Sequence, residues 1–133
     1  MPGFVSVTGP SKLAFPDYDG NGMFKSLGNI LVNVEVGMLF IAMHGRPQRL
    51  RVNGTATVSR EDPLFRGTVG AQLMVRVAAR SIFPNCPRYI PDMQLIDPSI
   101  YVPRSGHDPP EPAWKDFDSF KDCIHPRQPT FKG

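Results

Sequence analysis

The sequence predicts a mainly β fold with one main α-helix over residues 22–32 and an irregular, proline-rich C-terminal tail. Three observations carry this. Arg49 to Ser59 alternates strictly, with Leu50, Val52, Ala56 and Val58 on one side and Arg49, Arg51, Asn53, Thr55, Thr57 and Ser59 on the other. That period of two is the mark of a strand. Met23, Leu27, Ile30 and Leu31 fall at i, i+4, i+7 and i+8, one face of a helix. The chain holds 15 prolines in 133 residues, which argues against an all-helical fold.

The elements follow in order. Phe4 to Thr8 alternates apolar and small polar residues, and Gly9-Pro10-Ser11 turns the chain back into Leu13-Ala14-Phe15, so a hairpin is expected that ends at Pro16. Asp17 to Gly22 is turn chemistry, with two Asp, two Gly and one Asn. The helix follows, and Asn33 is a candidate left-handed stop. Val34 to Ile41 has no polar face and reads as a strand buried on both sides. His44-Gly45-Arg46-Pro47 is a turn into the alternating strand. Gly54 within that strand marks a bulge or a close approach. Asp62-Pro63 predicts a capped helical turn over Pro63–Arg66. Ala71 to Phe83 is a second long strand, with Leu73, Val75, Val77 and Ala79 inward and Gln72, Arg76 and Arg80 outward.

Ten of the 15 prolines lie between Pro84 and the end, where the character changes. Residues 105–133 have little aliphatic content and no period, so this tail is expected to be less ordered than the rest. Trp114 and Phe117 are its candidate anchors.

Composition narrows the function classes. The net charge of +3 suits a small anion and is too weak for nucleic acid without a concentrated basic stripe. Aromatics do not alternate with the arginines on the long strands, which weakens a nucleic-acid-binding β-barrel further. No run of 18 apolar residues exists, so no membrane association is expected. Two cysteines make no disulfide framework, and a cytoplasmic setting is the expectation. Cys86 has no histidine close in sequence and reads as a buried structural thiol. The Cys-x-His at 123–125 lacks zinc spacing, and no metal site is expected.

The start of the helix is the most informative stretch. A first turn leaves N–H groups unpaired and carries partial positive charge. Lys25 there is disfavoured by the dipole, and Ser26 follows it. A phosphate would use the N–H groups, the hydroxyl and the ammonium together. A surface lysine and serine without a ligand is the other reading.

FPDYDGNGMFKSLGNILVNVEVGMLF, then RLRVNGTA and the later NCPRYI, taken in this order and spacing, resemble the FMN-binding split-barrel family typified by pyridoxamine 5′-phosphate oxidase. The nearer likeness is to its flavin-nucleotide-binding-like branch, over residues 2–104. The resemblance implies an antiparallel split β-barrel domain, 1–104, followed by the tail, 105–133. It implies a homodimer with FMN at the subunit interface and a flavin-dependent oxidoreductase acting on an unknown small-molecule substrate. The family's PGFV-like residues lie inside its domain, whereas here they directly follow Met1, so the chain looks truncated at its N-terminus. Lys25 and Ser26 fall where the family holds the phosphate, with Asn21 and Gly22 as further donors. Asp17 lies where a strand end passes the flavin ring. Arg49 aligns with a polar flavin contact, Arg51 shares its face, and Arg88 is a candidate contact from the other subunit. A binding protein without turnover remains the alternative, and no catalytic acid or base is identifiable.

Overall fold

The computed structural model describes residues 4–42, 44–126 and 130. Pro2 and Gly3 of the N-terminal motif lie outside the described residues. The elements are β1 (Ser6–Gly9), β2 (Lys12–Tyr18), α1 (Lys25–Val32), β3 (Glu35–Ala42), β4 (Gln48–Ser59) and β5 (Ala71–Asn85). Short 3-10 helices cover Pro63–Gly67 and Ala113–Asp116. The strands form one antiparallel sheet in the order β1-β2-β5-β4-β3. The fold is thus mainly β with one helix and an irregular tail, as the periodicities predict.

The sheet coils on itself. Val7 of β1 and Phe40 of β3 belong to opposite edges, yet they line one apolar groove of about 280 Å³ with Leu50, Val52 and Ile82. A five-stranded sheet whose edges turn toward each other around an apolar interior is consistent with a split barrel.

The inner face carries the main core. Ala56, Val75 and Val77 are buried there, with Leu13, Phe15, Val36, Met38 and Val58 around them and Leu27 and Ile30 of α1 packed on top. The outer face is covered at one end only, where Phe65 packs on Ala14, Ala71 and Met74. Asp62 caps the 3-10 helix by accepting from the Leu64 N–H at 2.9 Å, and it also pairs with Arg76. That Arg76 hydrogen bond outweighs burial and holds the Asp62 carboxyl below the usual aspartate range. The same cover explains why Gln72, expected outward, is buried.

Four other expectations are corrected. The strand β2 runs through Pro16 to Tyr18 rather than ending there. Pro16 pairs with Met74 on β5, while β1 pairs only as far as Ala14, so the missing N–H faces no partner strand. Asn33 is extended (φ −139°), and the left-handed residues flank the other end of the helix, at Gly22 (φ 69°) and Phe24 (φ 49°). Leu31 leaves the apolar face and is exposed, so α1 buries a stripe of only two side chains. The strand β3 is an edge with one face open, and Leu39 (48% exposed) and Ile41 (38%) lie on that face.

Gly54 bears out both readings of a mid-strand glycine. The ladder shifts register between Asn53 and Gly54, and a Cβ at Gly54 would overlap the Ala78 carbonyl oxygen. Gly28 in α1 meets nothing within 4 Å. Gly54→Ala is expected to lower stability by about 1–3 kcal/mol through overpacking. Gly28→Ala is expected to raise it by about 0.5–1 kcal/mol through helix propensity. Urea unfolding of both variants checks the pair, and equal effects would mean that the β4–β5 approach is not as tight as described.

Candidate functional site

The residues nominated from sequence fall at two ends of the sheet. Asp17, near the end of β2, pairs with Leu73, and the loop from Asp19 leads directly into α1. Asn21, Gly22, Lys25 and Ser26 therefore stay with Asp17. Arg49 lies at the start of β4 and pairs with Asn85 at the end of β5, whereas Ser59 pairs with Met74. Ten residues of strand separate Arg49 from Ser59, about 30 Å. Arg51 sits beside Arg49, and Arg88 follows the end of β5. The faces differ as well. Asp17 has the parity of Leu13 and Phe15, the inner side, while Arg49 and Arg51 share the outer side with Leu39, Ile41 and Phe83. One chain thus presents a loop end and an arginine end, and it does not bring the two together.

The loop end has an open helix start. The N-cap Phe24 gives no side-chain cap, and the first turn of α1 contains no acidic residue. Lys25 and Ser26 are exposed. Asn21 Oδ1 accepts the Met23 N–H at 3.0 Å and so shapes the loop. The Asp17 carboxyl is pushed above the ordinary aspartate value by burial, with the charge of Asp19 adding to it. Burial also raises the Tyr18 phenol. Asp17 Oδ2 is buried and has no hydrogen-bond partner.

The arginine end is a flat, open patch. Ile41, Arg49 and Asn85 form one cross-strand row, and Leu39, Arg51 and Phe83 form the next. Arg49 Nη1 donates to Asn85 Oδ1 at 3.4 Å, but Arg49 Nε is buried without a partner. Asp17 Oδ2 and Arg49 Nε are the buried side-chain polar atoms left unsatisfied among the described residues. Both belong to nominated positions. Cys86, expected to be buried, is exposed, because it lies just past the end of β5 at Asn85 and outside the sheet.

The tail supplies what the sequence did not announce. Lys115 forms an ion pair with Asp19 at 2.9 Å and with Glu111 at 3.0 Å, and its side chain is 8% exposed. Burial alone would pull its ammonium down, but the two carboxylates hold it above the usual lysine value. The His125 N–H donates to the Gly22 carbonyl at 3.1 Å, and Ile124 occupies the space that a Gly22 side chain would take. The tail is a strap fastened over the loop. The sequence signals were the anchors Trp114 and Phe117 and the prolines, which stiffen an extended segment. Of the two, Trp114 packs edge-on against Phe120, while Phe117 is exposed.

Among the described residues no group of His, Cys, Asp and Glu could hold a metal ion, and no helix is long and apolar enough to cross a membrane. No family model and no curated protein matches this chain. Among solved structures, the HupZ protein of Group A Streptococcus is similar at 16% identity and a TM-score of 0.48, over 61% of this chain and 68% of that one. At that level the likeness carries no argument about what this chain binds.

Asp17 yields a prediction with a definite sign. Its folded-state pKa is raised, so its contribution to stability is greatest below the ordinary aspartate value and is lost as pH rises through the raised one. Asp17→Asn is expected to stabilise the protein at pH 7 by about 1 kcal/mol, the order of an unsatisfied buried group. The gain should vanish near pH 4. Thermal unfolding at both pH values tests this, and a variant less stable than wild type at pH 7 would show that Asp17 is paired after all.

Proposed function

We propose that this protein binds FMN between two copies of the chain, with the loop end of one copy facing the arginine end of the other. The observation that carries this is the pair of buried, unpartnered atoms, Asp17 Oδ2 and Arg49 Nε. An unsatisfied buried polar group costs about 1–3 kcal/mol and calls for a partner. Asp17 offers an acceptor to a ring N–H, and Arg49 offers a donor to a ring oxygen. The exposed start of α1, with Lys25, Ser26 and uncapped N–H groups, is chemically suited to the phosphate. A mononucleotide cannot span about 30 Å of strand, so the two groups serve one ligand only across an interface.

The arginine end supports such an interface. Leu39, Ile41 and Phe83, exposed by 48, 38 and 38%, surround Arg49 and Arg51 on an uncovered face beside an unpaired edge strand. Bound flavin would supply two-electron and one-electron redox chemistry, with the protein contributing orientation and electrostatics to an oxidation or reduction of a small substrate. Arg51 and Arg88 lie at the same end as Arg49 and add positive charge there.

FMN fluorescence titration, with the oligomeric state measured in parallel, tests the reading. Ser26→Ala is expected to weaken binding about 10- to 150-fold, the worth of one hydrogen bond to a charged group. Lys25→Ala should weaken it in a salt-dependent manner. Asp17→Asn should weaken binding while stabilising the fold. FMN bound tightly by a monomer, or unchanged affinity in all three variants, would remove the site from these residues.

A further inference from the structure

A cavity of about 580 Å³ lies between the C-terminal segment from Tyr101 onward and two loops at one end of the sheet, at Asp19-Gly20 and Val69-Gly70. None of the residues nominated for FMN lines it, although Asp19 and Gly20 of the same loop do. Its size falls within the range of small-molecule sites.

The cavity is a fitted space. Gly70 has φ 80°, and a side chain there would overlap Pro103, which leads into the strap. Gly22 similarly makes room for Ile124. The Lys115–Asp19 pair, 96 residues apart in sequence, fastens the strap at the cavity wall. These contacts hold open a space that a disordered tail could not form.

Its lining has a definite chemistry. Trp114 and Tyr101 contribute aromatic side chains, and several prolines contribute flat apolar walls. Arg104 lines it and has no ion-pair partner among the described residues. His107 Nε2 lies 2.7 Å from the Ile100 carbonyl oxygen, which leaves Nδ1 as the ring's second polar atom. Two carboxylates line it as well: Asp19 is answered by Lys115, and Asp108 is engaged in a contact of its own. Among the described lining residues, the charge left without an ion-pair partner is that of Arg104, among flat walls. A guanidinium pairs with a carboxylate through two parallel hydrogen bonds. Aromatic side chains favour a flat ring.

We propose that this cavity binds a planar aromatic carboxylate at a site separate from the one proposed for FMN. The proposal stands on the strap alone and does not depend on the flavin reading.

Trp114 is the one tryptophan of the chain and lies in the cavity wall, so its indole N–H gives a single resonance that reports on occupancy. The full-length, ¹⁵N-labelled protein would be titrated with naphthalene-2-carboxylate. A saturable shift of the indole resonance is expected, and the uncharged methyl ester should bind at least ten-fold more weakly. Arg104→Met and Arg104→Gln should each weaken the acid at least ten-fold, the loss of a charge-assisted hydrogen bond. Arg88→Met should leave it unchanged. No shift at millimolar probe, equal affinity for acid and ester, or wild-type affinity in either Arg104 variant would overturn the proposal. Displacement of the probe by FMN would overturn the separateness of the site. Failure of FMN to bind anywhere would leave this result standing, so the two readings fail independently.

Discussion

The double pairing of β5 is the constraint on which the molecule depends. Residues Ala71 to Ala78 are bonded to β2 on one side, and Met74 to Asn85 are bonded to β4 on the other. The two largest fully buried side chains, Val75 and Val77, sit where the pairings overlap. Beyond Ala78, β5 has lost β2 and continues with β4 alone. The β1–β2 and β4–β3 pairs therefore diverge at that point. The apolar groove opens there, and Ala79 and Ile82 line it. The missing side chain of Gly54 lets the bulged backbone at Ala78–Ala79 come close enough to make this bend. A sheet coiled in this way encloses most of its interior, and Leu27 and Ile30 of α1 pack over the rest.

The two ends of that ladder are finished differently. At the loop end, charges are used to fasten chain segments. Asp62 combines a cap and a bidentate Arg76 contact, and Lys115 draws Asp19 and Glu111 around a nearly buried ammonium. Desolvation of such a pair offsets much of its attraction, so its role is to fix the strap's register more than to add stability. Midway along the ladder, the ion pair of Arg80 with Glu35 is well exposed and contributes little. Arg49 and Arg51 face no carboxylate across the strands. Their cross-strand neighbours are Ile41 and Asn85, and Leu39 and Phe83.

Local patterns were legible where one face of an element alone decided its sequence. The alternation of 49–59, the Asp62-Pro63 cap and the glycine at 54 each carried their structure in adjacent residues. Burial was less legible, because it depends on what lies across the sheet. Val34 to Ile41 reads as buried on both sides, but an edge strand with apolar residues on its open face has the same composition. Gln72 reads as solvated, but the segment after Asp62 folds over its face. The strap was the least legible. Its ordering comes from contacts about a hundred residues away in sequence, Lys115 with Asp19 and His125 with Gly22. The resemblance named candidate residues and was silent on their division between two ends of one sheet.

That division bears on how a site can exist here at all. Within one chain, Asp17 and Arg49 each bury a polar atom that the fold does not satisfy, on opposite faces of the sheet and about 30 Å apart along it. Repacking inside the chain cannot join them, because the β4–β5 ladder fixes their separation. Each is therefore a local cost that the isolated chain bears without return. A cost of that kind persists most readily where a partner outside the chain removes it. The open outer face around Arg49 and the uncapped start of α1 near Asp17 are the surfaces through which such a partner would act.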